Sequence, residues 1–175
     1  MYHHINPHKG DMVTITPEVF KGQMEYLYRA GYRTLKIDEL ISCISGGLGL
    51  PQKAAVVTFD DGWLDNYLYA FPVLKKYKIN ATVFLITNRV ENASAFTPPI
   101  ISPLKLRGEQ RGVTSMPTHK ESKSLIEKGE SHKVVLTWKL IKEMSDSGLI
   151  EFYSHTKSHA KCNSLSEKEL MEELK

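Results

Sequence analysis

Two short segments about ninety residues apart carry the side chains that could do chemistry in this 175-residue chain. A Thr-Phe-Asp-Asp-Gly segment supplies the adjacent carboxylates Asp60 and Asp61, and a Ser-His-Thr-Lys-Ser-His segment supplies His155 and His159. One carboxylate with two imidazoles is a common open site for a divalent transition metal ion. The other carboxylate is then free to take a proton from water that the ion activates. The residues therefore suggest hydrolysis.

The elements that must position these side chains alternate between strand and helix. The apolar run 54–59 has the pattern of a buried parallel strand and ends at the acid pair, and residues 150–153 form a strand candidate before the histidines. Thr16 with Pro17 marks a helix start, because a threonine caps well and proline suits the first helical position. Further strands are predicted at 1–5, 34–37 and 81–86. Two further helices are predicted at 38–44, with Asp38 as cap, and at 63–77, with Pro72 opening its second half. Two more are predicted at 137–147, with Thr137 as cap, and at 166–175, with a capping box from Ser166 to Glu169.

This order predicts an α/β fold with parallel strands, either open or closed into a barrel. In such folds the active site lies at the carboxyl ends of the strands. Asp60, Asp61 and His155 all come directly after predicted strands. The chemical and the structural interpretation therefore agree on one place.

Neither segment is specific by itself. An acid pair before glycine often only forms a turn or caps a helix, and two histidines at i and i+4 are often a surface coincidence. Together they are stronger, because successive backbone turns can bring both imidazoles to one ion and a carboxylate from another strand end can complete the set. Cys162, three residues after His159, is a weaker candidate ligand.

Composition excludes several classes of function. The net charge of +3 is too small to indicate nucleic-acid binding, and no apolar run approaches the ~18 residues of a membrane span. Residues 88–133 contain four prolines and no clean periodicity, and residues 89–133 carry eight basic and five acidic side chains. We therefore interpret 88–133 as an insertion in a single domain over 1–175.

The chain resembles the polysaccharide deacetylases, the NodB-homology domain of carbohydrate esterase family four. The Thr-Phe-Asp-Asp-Gly segment matches the first motif of that family, and His155 to His159 match the second, written His-Ser/Thr-x-x-His. The opening Tyr-His-His-Ile and the stretch 31–40 are most similar to the branch that deacetylates poly-N-acetylglucosamine. The resemblance implies a partial, distorted parallel (β/α) barrel, of which this chain would be the N-terminal portion.

Carried over by position, the resemblance implies Asp60 as general base, with Asp61, His155 and His159 holding a divalent metal ion, usually zinc. Thr156 would brace the histidine loop. The implied partner is a polysaccharide similar to poly-N-acetylglucosamine, outside the cytoplasm. An incomplete barrel would leave an open strand edge through which the chain could form an oligomer.

The departure from the family lies after Leu165, where no residue matches the arginine that orients the base or the histidine that acts as general acid. We therefore expect the chain by itself to be weakly active or inactive. Other functions remain open: a carbohydrate O-acetyl esterase, a peptidoglycan deacetylase, a non-catalytic carbohydrate-binding remnant and, least favoured by the motif order, an iron oxygenase.

Overall fold

The computed structural model describes residues 1–8, 11–47, 49–96 and 116–174. Short parallel strands alternate with helices along these parts of the chain. The strands are β1 (His4–Ile5), β2 (Thr14–Ile15), β3 (Arg33–Thr34), β4 (Ala54–Ala55), β5 (Thr58–Phe59), β6 (Ala81–Leu85) and β7 (Ile150–Ser154). The α-helices are α1 (Pro17–Arg29), α2 (Ile37–Ser45), α3 (Phe71–Tyr77), α4 (Thr87–Ala95), α5 (His119–Glu127), α6 (Trp138–Asp146) and α7 (Glu167–Glu173).

The strands form parallel ladders that hold the site. The central sheet has the order β5-β6-β7, while β1 pairs with β2 and β3 pairs with β4. Tyr2 joins the first ladder to the central one, since its N–H donates to Thr58 O (2.8 Å) and its carbonyl accepts from Asp60 N (2.9 Å). Among the described residues the strands do not close into a ring, and β7 pairs only with β6. The fold is the expected partial, distorted barrel; oligomerisation through its open edge stays a prediction.

The core lies where the helices cover the strands. Phe20, Met24 and Phe59 are at most 1% exposed, and Trp63 is fully buried among them. Helix α1 begins as predicted, with the Thr16 hydroxyl accepting from Val19 N and Pro17 in the first turn. The side chains of Phe20 and Met24 are one turn apart on the buried face of α1, which fixes this helix against the strand end that carries the acid pair.

Three sequence predictions need correction. The run 54–59 is two short strands with different partners, β4 beside β3 and β5 beside β6. Asp38 lies inside the first turn of α2, whose N-cap is Lys36. The helix predicted over 63–77 begins with a π-helical turn, Asn66–Ala70, before α3. Pro72 opens the second part as expected.

Both described ends of the predicted insertion contain helices. Helix α4 buries Val90 and Ala93 completely in the core, and α5 starts with a capping box between Thr118 and Glu121. These parts are therefore packed elements and not the irregular segment that the lack of periodicity indicated. Residues 97–115 lie outside the described part of the chain, and the bounds of the insertion stay a prediction.

The longest described helix, α1, has 13 residues. Within residues 1–8, 11–47, 49–96 and 116–174, no helix combines the length and the apolar character that crossing a membrane requires.

Candidate metal centre

The central sheet brings the acid pair and the histidines to one edge. Asp60 and Asp61 follow β5, and His155 follows β7, while β6 lies between these strands. Register aligns the last residue of β6 with the last residue of β7, and His155 N continues the ladder by donating to Leu85 O at 2.7 Å. The carboxyl ends of the strands therefore define the site, as the topology predicts for parallel sheets.

The acid pair sits in a left-handed turn. Asp61 has φ +73° and Gly62 has φ +72°, a conformation that costs energy for a residue with a side chain. Hydrogen bonds on both sides hold the turn, from Asp60 N to Tyr2 O (2.9 Å) and from Leu136 N to Gly62 O (2.9 Å). A strained residue kept in place by its surroundings is common at functional sites.

Atoms of three side chains that can coordinate a metal ion converge here. Asp61 Oδ1 lies 3.9 Å from His155 Nε2 and 3.8 Å from His159 Nε2. One ligand atom from each residue lies within 4.8 Å of the other two. Asp61 Oδ2 accepts a hydrogen bond from Trp63 Nε1 (3.1 Å), whereas the buried Asp61 Oδ1 has no hydrogen-bond partner among the described residues.

This donor set fits a divalent metal ion. An unpaired buried carboxylate oxygen costs ~1–3 kcal/mol, and a cation between it and the two imidazoles would remove that cost. The histidine side chains are 33% and 49% exposed, whereas that of Asp61 is 9% exposed. The cluster is thus closed on the protein side and open to solvent on the other, as a site with a free coordination position requires. Cys162 is exposed and does not belong to the cluster.

The two histidines meet through a loop and not through a helical turn. Thr156 and His159 both have φ +67°, and the Thr156 hydroxyl accepts a hydrogen bond from His159 N at 3.1 Å. The ring centroids of His155 and His159 are 5.0 Å apart. Thr156 therefore has the contact that a bracing residue needs.

Glu173, at the end of α7, holds the same loop and was missed in the sequence. Its carboxylate accepts from Ser158 N (2.6 Å), Ser158 Oγ (2.9 Å) and Ala160 N (3.3 Å). Hydrogen bonds from Ser158 lower the pKa of Glu173 to about 2. The capping box that starts α7 predicted the helix, but no local signal indicates that its last residue contacts the histidine loop.

His3 and Arg89 are two further residues near the acid pair. His3 Nε2 lies 3.8 Å from Asp60 Oδ2. The Arg89 guanidinium lies 5.6 Å from the centre of the Trp63 ring. Partial burial lowers the pKa of Arg89, while the negative charge of Asp61 opposes that shift. The structure thus places a histidine and an arginine near the acid pair from elements that precede the histidine motif.

Comparison with known proteins identifies the family. Residues 48–175 match the polysaccharide deacetylase family. The chain is 31% identical over 123 residues to a poly-β-1,6-N-acetyl-D-glucosamine N-deacetylase of Staphylococcus epidermidis, covering 69% of this chain and 42% of that protein. Its fold is similar to a Streptococcus pyogenes deacetylase, PplD, solved with acetate (TM-score 0.71, 25% identity, 100% of this chain and 62% of that one). It is also similar to IcaB from Ammonifex degensii (TM-score 0.60, 27% identity, 96% and 55%).

The chain spans less than half the length of curated relatives that it matches, 42% in the case of the Staphylococcus epidermidis protein. The family match itself covers well over half of this chain and includes the acid pair, the histidine motif and α7. The chain belongs to the polysaccharide deacetylase family.

Proposed function

We propose that this chain carries the catalytic centre of a metal-dependent hydrolase that removes N-acetyl groups from a polysaccharide containing N-acetylglucosamine. The observation that carries the proposal is the buried Asp61 Oδ1, which lacks a hydrogen-bond partner and lies 3.8–3.9 Å from two histidine nitrogens. A cation satisfies all three groups at once. The family match supports the deacetylation chemistry.

Each site residue then has a distinct role. Asp61, His155 and His159 would hold the ion, which we expect to be zinc, and Thr156 braces the loop between the histidines. The bound ion supplies a Lewis acid that polarises the amide carbonyl and increases the acidity of water. Asp60 stays outside the metal cluster and is the general base that takes a proton from the attacking water.

His3 is our candidate for the general acid that protonates the leaving amine. Its ring lies within ion-pair range of the Asp60 carboxylate, so the proton acceptor and the proton donor are neighbours. The side chain of His3 is 24% exposed and therefore accessible from the solvent side.

The substrate class is inferred from relatives. Several of them are named poly-β-1,6-N-acetyl-D-glucosamine N-deacetylase, including proteins of Staphylococcus epidermidis and Escherichia coli. We expect a polymer of this kind, and therefore the reaction, to lie outside the cytoplasm, at the cell envelope or beyond it. Removal of acetyl groups leaves amines, which make the polymer more positively charged.

Acetate release from defined substrates tests the proposal. Purified protein is loaded with zinc and incubated with N-acetylglucosamine oligomers, with O-acetylated xylan oligomers and with peptidoglycan. We expect slow release of acetate and free amines from the first substrate, since this chain by itself is expected to be weakly active, with loss of release with a chelator and recovery with added zinc. Asp60→Asn serves as the inactive control.

The other outcomes identify the alternatives. Release only from the O-acetylated substrate would show an esterase, and release only from peptidoglycan would show a peptidoglycan deacetylase. Zinc binding and polymer binding without any release would show a carbohydrate-binding remnant. Acetate release that resists chelation would refute the metal mechanism.

A further inference from the structure

A hydrogen-bonded chain of three polar side chains, two of them buried and the third half-buried, lies behind the metal centre, and the proposed reaction does not use it. Asp65 is fully buried and its Oδ2 is 2.6 Å from His4 Nδ1, while His4 Nε2 is 3.0 Å from His119 Nδ1. Asp65 Oδ1 also accepts from Asn66 Nδ2 at 3.0 Å. Burying an acid–base pair costs free energy, and apolar residues of similar volume would often give equal or greater stability. Stability alone therefore does not explain why this pair is present.

Hydrogen bonds occupy both ring nitrogens of His4. Its Nδ1 lies 2.6 Å from Asp65 Oδ2, and its Nε2 lies 3.0 Å from His119 Nδ1. A proton on either atom of each pair completes the hydrogen bond. Each ring nitrogen of His4 thus has one specific partner, which fixes the orientation of that ring.

The oriented His4 ring packs on the indole that holds the metal-binding carboxylate. The centroids of the His4 and Trp63 rings are 4.1 Å apart at an interplanar angle of 30°. Trp63 is fully buried, and its Nε1 donates to Asp61 Oδ2 at 3.1 Å. The His119 ring meets the Trp63 ring edge-on at 5.8 Å. Any tilt of the indole would turn the Asp61 carboxylate, whose other oxygen faces the two metal-binding histidines.

We propose that Asp65, His4 and His119 are positioning residues that fix the Trp63 indole and thereby the metal-binding oxygen of Asp61. In this arrangement α5, which begins at His119, supports the metal centre although none of its residues belongs to the metal cluster. The inference rests on the proposed function, since it takes Asp61 as a metal ligand. The inference also implies that α5, the helix before α6 in the sequence, supports the site through the contacts of His119.

The test replaces His119, which is the solvent-accessible end of the hydrogen-bonded chain of side chains. His119→Leu removes the hydrogen bond to His4, whereas His119→Asn places an amide nitrogen at the same distance from Cβ as Nδ1 and can restore it. Lys120→Ala, on the neighbouring exposed position of α5, is the matched control. His119→Ala is a second, smaller break in case leucine perturbs folding, which far-ultraviolet circular dichroism monitors.

Two readouts separate positioning from general stability. Zinc affinity is measured by competition with a chromophoric chelator at a temperature where all variants are folded. The emission of Trp63 is measured without metal in a Trp138→Phe background, since the chain has only two tryptophans. We expect His119→Leu to lower zinc affinity by about tenfold, the lower end of the cost of losing an outer hydrogen-bond partner. The emission of Trp63 should change in parallel.

The outcomes distinguish this inference from the proposed function. Recovery of affinity and emission in His119→Asn, with Lys120→Ala equal to wild type, supports positioning through the hydrogen bond. Equal zinc affinity in His119→Leu, His119→Ala and Lys120→Ala overturns the inference while leaving the metal centre intact. A wild-type protein that binds no zinc overturns the proposed function and this inference with it.

Discussion

Replacing Gly62 with alanine should strain the turn that presents the acid pair. Gly62 has φ +72°, which costs an alanine ~1–2 kcal/mol. The new Cβ would also lie 2.7 Å from Leu85 Cδ2, and Leu85 is 3% exposed, so its side chain has little room to move away. Overpacking of this kind costs ~1–3 kcal/mol. The two contributions together predict a loss of about 2–5 kcal/mol.

Gly148→Ala is the matched control for this experiment. Gly148 has φ +73°, but a Cβ there would meet no atom within 4 Å, so only the backbone cost of ~1–2 kcal/mol applies. At ~2–4 °C per kcal/mol for a chain of this size, Gly62→Ala should lower Tm by about 4–20 °C. It should fall ~2–12 °C further than Gly148→Ala.

A second measurement shows whether the strain reaches the site. Leu85 O accepts from His155 N at 2.7 Å, so a displaced Leu85 also disturbs the histidine loop. Zinc affinity should therefore fall in Gly62→Ala and stay unchanged in Gly148→Ala. Equal Tm values for the two variants would show that the Leu85 contact is relieved without cost, and the reasoning would be refuted.

The remaining predictions concern the ligands, the base and the loop anchor. Because two of three ligands are lost, His155→Ala/His159→Ala should abolish tight zinc binding by competition titration; unchanged affinity would reject the assignment. Asp60→Asn should keep zinc affinity within error and lower kcat by ~10²–10⁴ in the acetate assay, because it removes the general base. Glu173→Ala should weaken zinc binding, while Glu173→Gln, which keeps an acceptor for Ser158 N, should lose less. Since hydrogen bonding lowers the folded-state pKa of Glu173 from 4.5 to about 2, its stabilising effect is present above about pH 4.5 and is lost as the pH falls toward 2. Thermal unfolding over that range should therefore show a steeper loss of Tm for wild type than for Glu173→Gln.

Local sequence signals predicted several helix starts and the strand ends that carry the proposed ligands. Thr16 with Pro17, Thr137, and Ser166 with Glu169 all cap helices as expected, because capping depends on residues three positions apart. Asp61 and His155 lie at the ends of parallel strands, and this placement follows from the alternation of strands and helices. The site could thus be located before any contact was known.

The supporting residues could not be predicted in this way. Glu173 contacts Ser158 across 15 positions, His4 meets Asp65 across 61 and His119 across 115. Nothing in the neighbourhood of these residues indicates their partners. The division of residues 54–59 into β4 and β5 could not be predicted either, because a continuous apolar run does not indicate that the partner strand changes within it.

The ligands are held by separate parts of the chain, and this has an energetic consequence. Trp63 fixes Asp61 from one side, while the Leu85 carbonyl and Glu173 fix the histidine loop from the other. With the proposed ligands already in place, the fold keeps Asp61 Oδ1 buried and without a hydrogen-bond partner among the described residues, at a cost of ~1–3 kcal/mol. On the proposed assignment, a metal ion that binds only the folded chain would remove this cost and add its own binding free energy to the stability. The carboxylate that makes the metal-free protein less stable would thus be the group through which the ion stabilises it.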